Sequence, residues 1–160
     1  MKLAVVAVGR LKAGPERELA ERYRARIDQI ARSSGFSPVE MIEIPESRAR
    51  READRRSEEA TLIRERTRLG LAIAFDERGR SLTSEAFAEK LRRWRDEGRP
   101  AAAFLIGGAD GLDPALRDRA DLTVSFGALT LPHQLVRVLA LEQIYRSLTI
   151  LAGHPYHREG

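Results

Sequence analysis

With 160 residues, 42% of them hydrophobic, the chain is long enough to bury a core as one domain over residues 1–160. It contains no cysteine, which excludes disulfides, thiolate metal ligands and cysteine nucleophiles. Its 28 basic and 24 acidic residues give a net charge of +4, a balance that permits a nucleic-acid partner without requiring one. The apolar runs are too short to cross a bilayer, so we expect a soluble, cytoplasmic protein with no membrane contact.

The first part of the chain alternates strand and helix patterns. Leu3 to Val8 is a continuous apolar run, which is typical of a parallel strand buried on both faces. Apolar residues then recur at helical spacing from Pro15 to Gly35, and Val39 to Pro45 alternates as a weaker strand. The second half of Arg48 to Arg68 predicts a helix. The charged stretch Glu46 to Arg56 is either the solvated start of this helix or a mobile loop.

The rest of the chain continues the alternation. In order, we expect a strand over Leu71 to Phe75 with its exit turn at Asp76 to Gly79, a helix over Ser84 to Glu97 with Thr83 or Ser84 as N-cap, a strand over Ala101 to Ile106, a short helix starting at Asp113-Pro114, and a last strand over Leu122 to Phe126. This alternation predicts an α/β protein with a parallel sheet.

A long helix over His133 to Leu151 closes the pattern. It is apolar around much of its circumference, so we expect it to pack on the sheet and on a second partner. Arg137 and Arg146 interrupt it; they either pair across an interface or point at an anion. The terminal segment from Gly153 contains Pro155, which we expect to keep it from being helical.

The loops after the third, fourth and fifth strands are the predicted ligand site, because ligands of open α/β sheets bind at the carboxyl ends of the strands. The loop Gly107 to Gly111 has neither the spacing of a dinucleotide fingerprint nor the Gly-Lys-Ser/Thr ending of a phosphate loop. A nicotinamide enzyme and an ATPase are therefore disfavoured. The glycines indicate either a tight turn or the close approach of a ligand.

The histidines suggest a metal site only weakly. His154 and His157 are three residues apart, but Pro155 separates them and no paired carboxylate completes a ligand set, so we predict no metal. Ser125 with His133 does not form a nucleophile elbow, which disfavours a hydrolase. The terminal Tyr156-His157-Arg158 is either a frayed end or a group that stacks on bases and binds phosphate.

Five motifs occur in order along the chain. They are Phe104-Leu-Ile-Gly-Gly-Ala-Asp-Gly111, Ala128-Leu-Thr-Leu-Pro-His133, Leu135-Val-Arg-Val138, Glu142-Gln-Ile-Tyr-Arg146 and His154-Pro-Tyr-His-Arg158. Together with Met1-Lys-Leu and Val6-Ala-Val-Gly9, they make the whole chain resemble the ribosomal RNA large-subunit methyltransferase H (RlmH) family, most weakly across residues 46 to 70.

This resemblance implies a SPOUT fold, in which the C-terminal part of a parallel sheet with helices on both faces is tied in a trefoil knot, an exception to the rule against knots. It also implies a homodimer that holds S-adenosylmethionine in the knot. The family methylates N3 of a pseudouridine in the helix 69 stem-loop of 23S rRNA, on the assembled ribosome.

The resemblance also assigns site residues by position. The implied cofactor-binding residues are Phe75, Gly108, Gly127, Ala128, Leu129, Thr130, Leu131 and Pro132. The sequence departs from the family pattern at Phe75, where leucine is usual, at Ala109-Asp110, which replaces Pro-Glu, and at Gly127, which is often serine. Because backbone amides are expected to hold the adenine, these departures affect affinity more than chemistry.

Methylation at N3 of a uracil-type ring requires that a proton leave, and a nearby arginine favours the resulting negative charge. Arg158 and Arg137 are the candidates for this role, and His154, Tyr156 and His157 are candidates for relaying the proton, with water as another base. Two other functions fit the same residues: a transfer-RNA methyltransferase of the same superfamily, and a noncatalytic module that binds RNA or a nucleotide.

Overall fold

The computed structural model describes residues 1–67 and 70–158. Its five strands are β1 (Lys2–Val8), β2 (Val39–Ile44), β3 (Leu71–Arg80), β4 (Ala101–Ile106) and β5 (Leu122–Val124). Its helices are α1 (Pro15–Ile30), α2 (Glu52–Thr67), α3 (Ser84–Asp96), α4 (Pro114–Asp118) and α5 (His133–Leu151). The strands form one parallel sheet in the order β2-β1-β4-β3-β5. The predicted α/β class and parallel sheet are confirmed.

The middle of the sheet is buried on both faces, as its apolar sequence predicts. In β1, Val5 pairs with Met41 of β2 on one side and with Phe104 of β4 on the other. Val5, Val6 and Phe104 are fully buried. Helices cover both faces, which is what continuous apolar strands require.

Each face of the sheet has its own hydrophobic core. Residues of α1, α3 and α5 pack with Leu3, Phe104 and other side chains of one face. Residues of α2 and α4 pack with Val6, Leu105 and others on the opposite face. Helix α5 also contacts α1 and α3, so the second partner predicted for it is supplied by the same chain.

Local capping sets the starts of two helices as predicted. The Thr83 hydroxyl accepts a hydrogen bond from the Ala86 N–H at 3.1 Å, which caps α3. The Asp113 carboxylate accepts from the N–H groups of Ala115 and Leu116 at 2.9 and 3.2 Å, which caps α4. Pro114 occupies the first turn of α4, where its missing N–H has no cost.

The charged stretch Glu46 to Arg56, expected to be either the start of a helix or a loop, contains both. Residues from Glu52 onward are helical, while those from Pro45 to Arg51 form no helix or strand. The predicted extension of this helix to Arg68 lies outside the described residues.

Three local predictions were wrong. The exit turn expected at Asp76 to Gly79 is instead part of β3, because the chain continues along β5 with a register shift that pairs Arg80 with Val124. A Cβ on Gly79 would lie 2.6 Å from the Val124 carbonyl carbon, so only glycine allows this approach. Strand β5 ends at Val124, two residues early.

The third correction concerns the terminal segment. Residues Pro155–Arg158 form a 3₁₀ turn, although we expected Pro155 to prevent helical structure. Proline is tolerated at the first position of a helical turn, where no N–H is needed.

Candidate active site

The carboxyl ends of β3, β4 and β5 open onto one cavity of about 580 Å³. Its walls are Phe75 to Arg78 in the second half of β3 and the loops that follow β4 and β5, together with His133 and Val136 at the start of α5, Arg56 of α2 and Arg117 of α4. The volume lies within the range of ordinary small-molecule sites. The ligand site expected from strand order is therefore present as a cavity.

Most of the residues that the resemblance assigns to cofactor binding line this cavity. They are Phe75, Gly108, Gly127, Leu129, Thr130, Leu131 and Pro132. Ala128 belongs to the same loop but not to the cavity lining. The structure thus brings together β3 and the loops after β4 and β5, which the sequence assigned to one site.

Glycine is required in the loop after β4 because the backbone turns on itself. A Cβ on Gly107 would lie 2.4 Å from the carbonyl carbon of Gly111, and Gly111 has a φ of 77°. The Gly111 N–H donates to the Gly108 carbonyl at 3.0 Å. Gly107, Gly108 and Gly111 all line the cavity, so the tight turn of this loop forms part of the cavity wall.

The loop after β5 is held by the Ser125 side chain. Its hydroxyl donates to the Gly127 carbonyl at 2.9 Å and lies 3.0 Å from the Gly127 N–H. Gly127 has a φ of 128°, a conformation that side chains disfavour. Farther along, Thr130 Oγ1 lies 3.4 Å from Glu77 Oε2, which links this loop to the end of β3. Ser125 therefore has a structural contact and no nucleophile geometry.

Phe75 lies between the cavity and the core. Its ring stacks on Phe126 with centroids 4.9 Å apart, and it also contacts Phe87 and Phe104. Only 6% of the residue is exposed. Phe75 thus extends an aromatic cluster beneath the cavity.

The terminal segment packs on α1 and α5 through the side chain of Tyr156. The Tyr156 ring lies 4.7 Å from the Tyr145 ring, and the Arg146 guanidinium lies 5.0 Å from the Tyr156 centroid. The Tyr156 hydroxyl is 3.2 Å from Glu142 Oε1 and 3.4 Å from the Tyr23 hydroxyl. Burial, together with these neighbours, raises the pKa of Tyr156 well above its ordinary value. The phenol is therefore a neutral hydrogen-bond donor at physiological pH.

The other terminal candidates lie beside Tyr156. His154 Nδ1 accepts a hydrogen bond from the Tyr156 N–H at 3.2 Å. The backbones of His157 and Arg158 complete the 3₁₀ turn, and their side chains lie outside what the structure describes. The predicted roles of all four residues stay predictions.

Arg137 and Arg146 both have carboxylate partners in the same chain. Arg137 is only 2% exposed; it donates to Glu43 Oε1 at 2.8 Å and to the Gly9 carbonyl at 2.9 Å. Arg146 pairs with Glu142 one turn earlier at 2.9 Å. The structure therefore does not bring Arg137 together with the cavity or with the terminal segment, and its predicted catalytic role has no support from geometry.

The cavity and the terminal segment lie toward opposite ends of α5. His133 at the first position of the helix lines the cavity, whereas His154 follows its last turn. A helix of 19 residues is about 28 Å long at 1.5 Å per residue. Tyr156, the last residue of the segment whose side chain the structure describes, contacts Glu142 and not the cavity of its own chain.

Metal sites and membrane spans are both absent from the described part of the molecule. Within residues 1–67 and 70–158, no cluster of three or more histidine, aspartate or glutamate side chains has a geometry suited to a metal ion. Over the same ranges, no helix combines the length and the apolar composition needed to cross a membrane.

Sequence comparison decides the family. The family described as "Predicted SPOUT methyltransferase" matches residues 1–157. "Ribosomal RNA large subunit methyltransferase H" of Methylobacterium radiotolerans is 62% identical over 162 residues, covering 99% of this chain and 98% of that protein. The protein of the same name from Bradyrhizobium sp. is 60% identical and covers 99% of both chains. This chain belongs to the methyltransferase H family of the SPOUT methyltransferases.

Solved structures of more distant methyltransferases share the fold of this family member. A probable methylase family protein from Haemophilus influenzae superposes with a TM-score of 0.56 at 12% identity, covering 96% of this chain and 69% of that chain. A probable methyltransferase from Bordetella pertussis superposes with a TM-score of 0.54 at 15% identity, covering 91% and 95%. At these identities the likeness shows the fold alone.

In this methyltransferase H family member, α2 contributes residues that the sequence did not indicate. Arg55 pairs with Asp110 of the glycine loop through Nε at 2.6 Å and Nη2 at 3.0 Å. Arg56 of the next position lines the cavity, as does Arg117 of α4, which lies 4.0 Å from Asp76. The sequence of the glycine loop could have suggested that Asp110 forms an ion pair, but no nearby residue in the sequence identifies Arg55 as its partner.

Proposed function

We propose that this protein transfers a methyl group from S-adenosylmethionine to N3 of a pseudouridine in the helix 69 stem-loop of 23S rRNA, on the assembled ribosome. The observation that carries the proposal is the cavity formed by β3 and the loops after β4 and β5, where the family resemblance assigns the cofactor. Curated relatives about 60% identical over nearly the whole chain, each named for the large-subunit ribosomal RNA, support the choice of substrate.

The residues of the cavity fit the chemistry of the cofactor. S-adenosylmethionine carries a carboxylate and an ammonium group, and the cavity offers both Arg56 and Arg117 and the acidic Asp76 and Glu77. Arg56 Nε is buried and has no hydrogen-bond partner among the described residues, so a bound carboxylate would satisfy it. The glycine loop and the backbone from Gly127 to Pro132 leave room for close contact with the adenine.

When bound, S-adenosylmethionine supplies an electrophilic methyl group on its sulfonium sulfur. The protein's task is to hold the target ring in line, to exclude water and to manage the N3 proton. In this proposal Arg158 favours negative charge on the ring as the proton leaves. Tyr156, whose raised pKa keeps it protonated, donates a hydrogen bond and does not accept the proton. His154, His157 or water takes the proton, since an imidazole is the commonest general base.

The active site is shared between two copies of the chain in this proposal. The described part of the terminal segment, up to Tyr156, is held at Glu142 and is not part of the cavity lining of its own chain. Two α5 helices packed antiparallel would place each terminal segment beside the other chain's cavity. The outward side of α5 has apolar residues for such contact, with Leu135 at 42% exposure and Leu139 and Ile150 partly exposed. A homodimer follows, with the isologous interface of a two-fold axis.

The trefoil knot is a further part of the proposal. Membership of the SPOUT methyltransferases supports it, as does the position of the cavity between the loops that would form the knot.

Methyl transfer tests the proposed function directly. The protein would be incubated with S-adenosylmethionine labelled in the methyl group and, separately, with ribosomes, free ribosomal RNA and transfer RNA. We expect label in 23S rRNA when ribosomes are the substrate. Label in transfer RNA would instead identify a transfer-RNA methyltransferase, and the absence of label from every RNA would favour a noncatalytic module. A monomer at micromolar concentration in light scattering would contradict the homodimer.

A further inference from the structure

A second, separate cavity lies on the other side of α5. It is a groove of about 400 Å³ between α1, α5 and the carboxyl ends of β1 and β2. Arg10, Arg17, Arg24 and Arg137 line it, together with the carboxylates of Glu21 and Glu43. The proposed cofactor site does not use this groove, and Arg137 is the one residue of its lining that the sequence indicated as a candidate.

Two of the four arginines in the groove are already neutralised. Arg137 donates to Glu43 at 2.8 Å, and Arg17 donates to Glu21 at 2.8 Å. Burial alone would raise the pKa of Glu43, but the hydrogen bonds from Leu11 and Arg137 hold it below the ordinary value. Glu43 is therefore ionised at neutral pH and keeps the buried Arg137 paired.

The other two arginines are available to a ligand. Arg10 is 90% exposed at its side chain and lies no closer than 4.0 Å to Glu43. Arg24 is exposed and forms no ion pair within the described ranges of the chain. Arg137 Nε is buried beneath them without a hydrogen-bond partner from residues 1–67 or 70–158. The groove thus carries an excess of two positive charges, with the exposed guanidinium groups of Arg10 and Arg24 at its mouth, and this suits an anion with several oxygens.

The position of the groove connects it to both parts of the proposed active site. His133 and Val136 of α5 face the cofactor cavity, whereas Arg137 and Leu141 face the groove, so the first turns of one helix separate the two. Helix α1 provides Arg17 and Arg24 to the groove and Tyr23 to the contact with Tyr156. A strand whose target base lies near the terminal segment can therefore place a neighbouring phosphate in the groove.

We infer that this groove binds a phosphate of the RNA strand that carries the target nucleotide, an inference that rests on the proposed function for the identity of that RNA. Arg10 and Arg24 contact the phosphate oxygens, and the Arg137–Glu43 pair holds the floor of the groove. Phosphate contacts of this kind position a strand without reading its sequence. They give the chain a means of holding RNA through its catalytic fold.

Salt-dependent RNA binding tests this inference without relying on methyl transfer. The full-length protein would be titrated against a fluorescein-labelled single-stranded RNA and against ribosomes at several KCl concentrations. We expect the double variant Arg10→Ala/Arg24→Ala to bind about ten-fold more weakly, the effect of losing charged hydrogen bonds. The slope of log K against log salt should fall by about 0.7 for each phosphate that the variant no longer neutralises. Arg22→Ala, on the same helix but outside the groove lining, is the matched control and should behave as wild type.

Steady-state kinetics with ribosomes give a second readout. The double variant should raise the KM for ribosomes about ten-fold and leave kcat and the Kd for S-adenosylmethionine unchanged, because the groove positions RNA and takes no part in the chemistry. Unchanged RNA affinity and salt slope would overturn the inference. If the double variant no longer dimerised in light scattering, the inference would also be overturned, because Arg10 and Arg24 would then belong to the interface between the two copies. If the wild type binds RNA through the groove but methylates no RNA, the proposed function is contradicted, whereas the inference that the groove binds RNA phosphate is supported.

Discussion

Arg55 of α2 and Asp110 of the glycine loop form a two-bond ion pair, with Nε to Oδ2 at 2.6 Å and Nη2 to Oδ1 at 3.0 Å. Arg55 Nη1 also donates to the carbonyl groups of Ala49 and Arg50. A single guanidinium thus ties the segment before α2 to the wall of the cofactor cavity. The Arg55 hydrogen bonds hold the pKa of Asp110 below its usual value, so the pair persists until the pH falls through that lowered pKa.

Removal of this ion pair should loosen the glycine loop and weaken cofactor binding. We expect Arg55→Ala and Asp110→Ala each to raise the Kd for S-adenosylmethionine about three- to ten-fold, and the double variant to add little, as for residues that act as one unit. Isothermal titration calorimetry measures this. Glu89→Ala, which breaks the exposed Glu89–Arg92 pair on α3, is the control and should leave the Kd unchanged. Wild-type affinity in Arg55→Ala would refute the role of the pair.

Adjacent glycines of the same loop should respond differently to a methyl group. Gly107→Ala places a Cβ 2.4 Å from the backbone of Gly111, so we expect a loss of about 1–3 kcal/mol in the free energy of unfolding. In Gly108→Ala the Cβ meets the Val8 side chain at 2.9 Å and not backbone, so we expect a smaller loss of stability; because Gly108 lines the cavity, the larger effect should be on cofactor affinity. Urea unfolding and calorimetry on both variants separate the two effects. Equal unfolding midpoints would show that the turn geometry is wrong.

Glu59 of α2 predicts a pH-dependent stability. The residue is only 6% exposed, and burial raises its pKa although its Oε1 accepts a hydrogen bond from the Ser47 N–H at 2.9 Å. A raised pKa means that its contribution to stability is full below the ordinary glutamate pKa and is lost as the pH rises through the folded value. Once the pH exceeds that value, the wild type carries a buried negative charge at Glu59.

The variant Glu59→Gln is neutral at every pH and keeps an acceptor for Ser47. We expect its Tm at pH 8 to exceed that of wild type by about 2–4 °C, the shift that about 1 kcal/mol produces in a chain of this length. The gap should narrow at pH 5. Circular dichroism melts at both values measure it, with Glu65→Gln, exposed on the same helix, as the control. A difference in Tm between Glu59→Gln and wild type that increases toward acidic pH would contradict the raised pKa of Glu59.

Tyr156 should act as a hydrogen-bond donor and not as the general base. Tyr156→Phe keeps the packing on Tyr145 but removes the hydrogen bond to Glu142 at 3.2 Å. We expect kcat to fall about ten-fold, as when one charged hydrogen bond is removed, with no change in the shape of the pH–rate profile. Tyr23→Phe removes only the longer contact of 3.4 Å and should stay near wild type. Disappearance of a limb of the profile in Tyr156→Phe would make the phenol the titrating base.

Features that depend on neighbours in the sequence were predicted well. The bounds of α5 at His133 and Leu151 and the caps at Thr83 and Asp113 all follow from local patterns or local hydrogen bonds. The position of the cavity was also predictable, because parallel strands bring their carboxyl ends to one edge of the sheet, although the residues expected as the loop after the third strand belong to β3.

Features that depend on distant partners were not predictable. Strand β3 continues past Phe75 because β5 lies beside it, and the local sequence instead resembled a turn. The buried Arg137 pairs with Glu43, which lies 94 positions away in the sequence. Arg55 contacts the cavity wall through Asp110, which lies 55 positions away. Pairings of this length leave no periodic signal in the sequence.

Mixed dimers test the central claim, that one chain supplies the cofactor cavity and the other supplies the terminal segment for methyl transfer to ribosomal RNA. A cavity variant, Gly108→Trp, and a terminal variant, Arg158→Ala, would be co-expressed with different tags, and the heterodimer isolated. Calorimetry should show that Arg158→Ala still binds S-adenosylmethionine. Each homodimer should be inactive on ribosomes, whereas the heterodimer should recover about half of the wild-type rate, because one of its two sites is intact. A heterodimer as inactive as its parents would contradict the shared site.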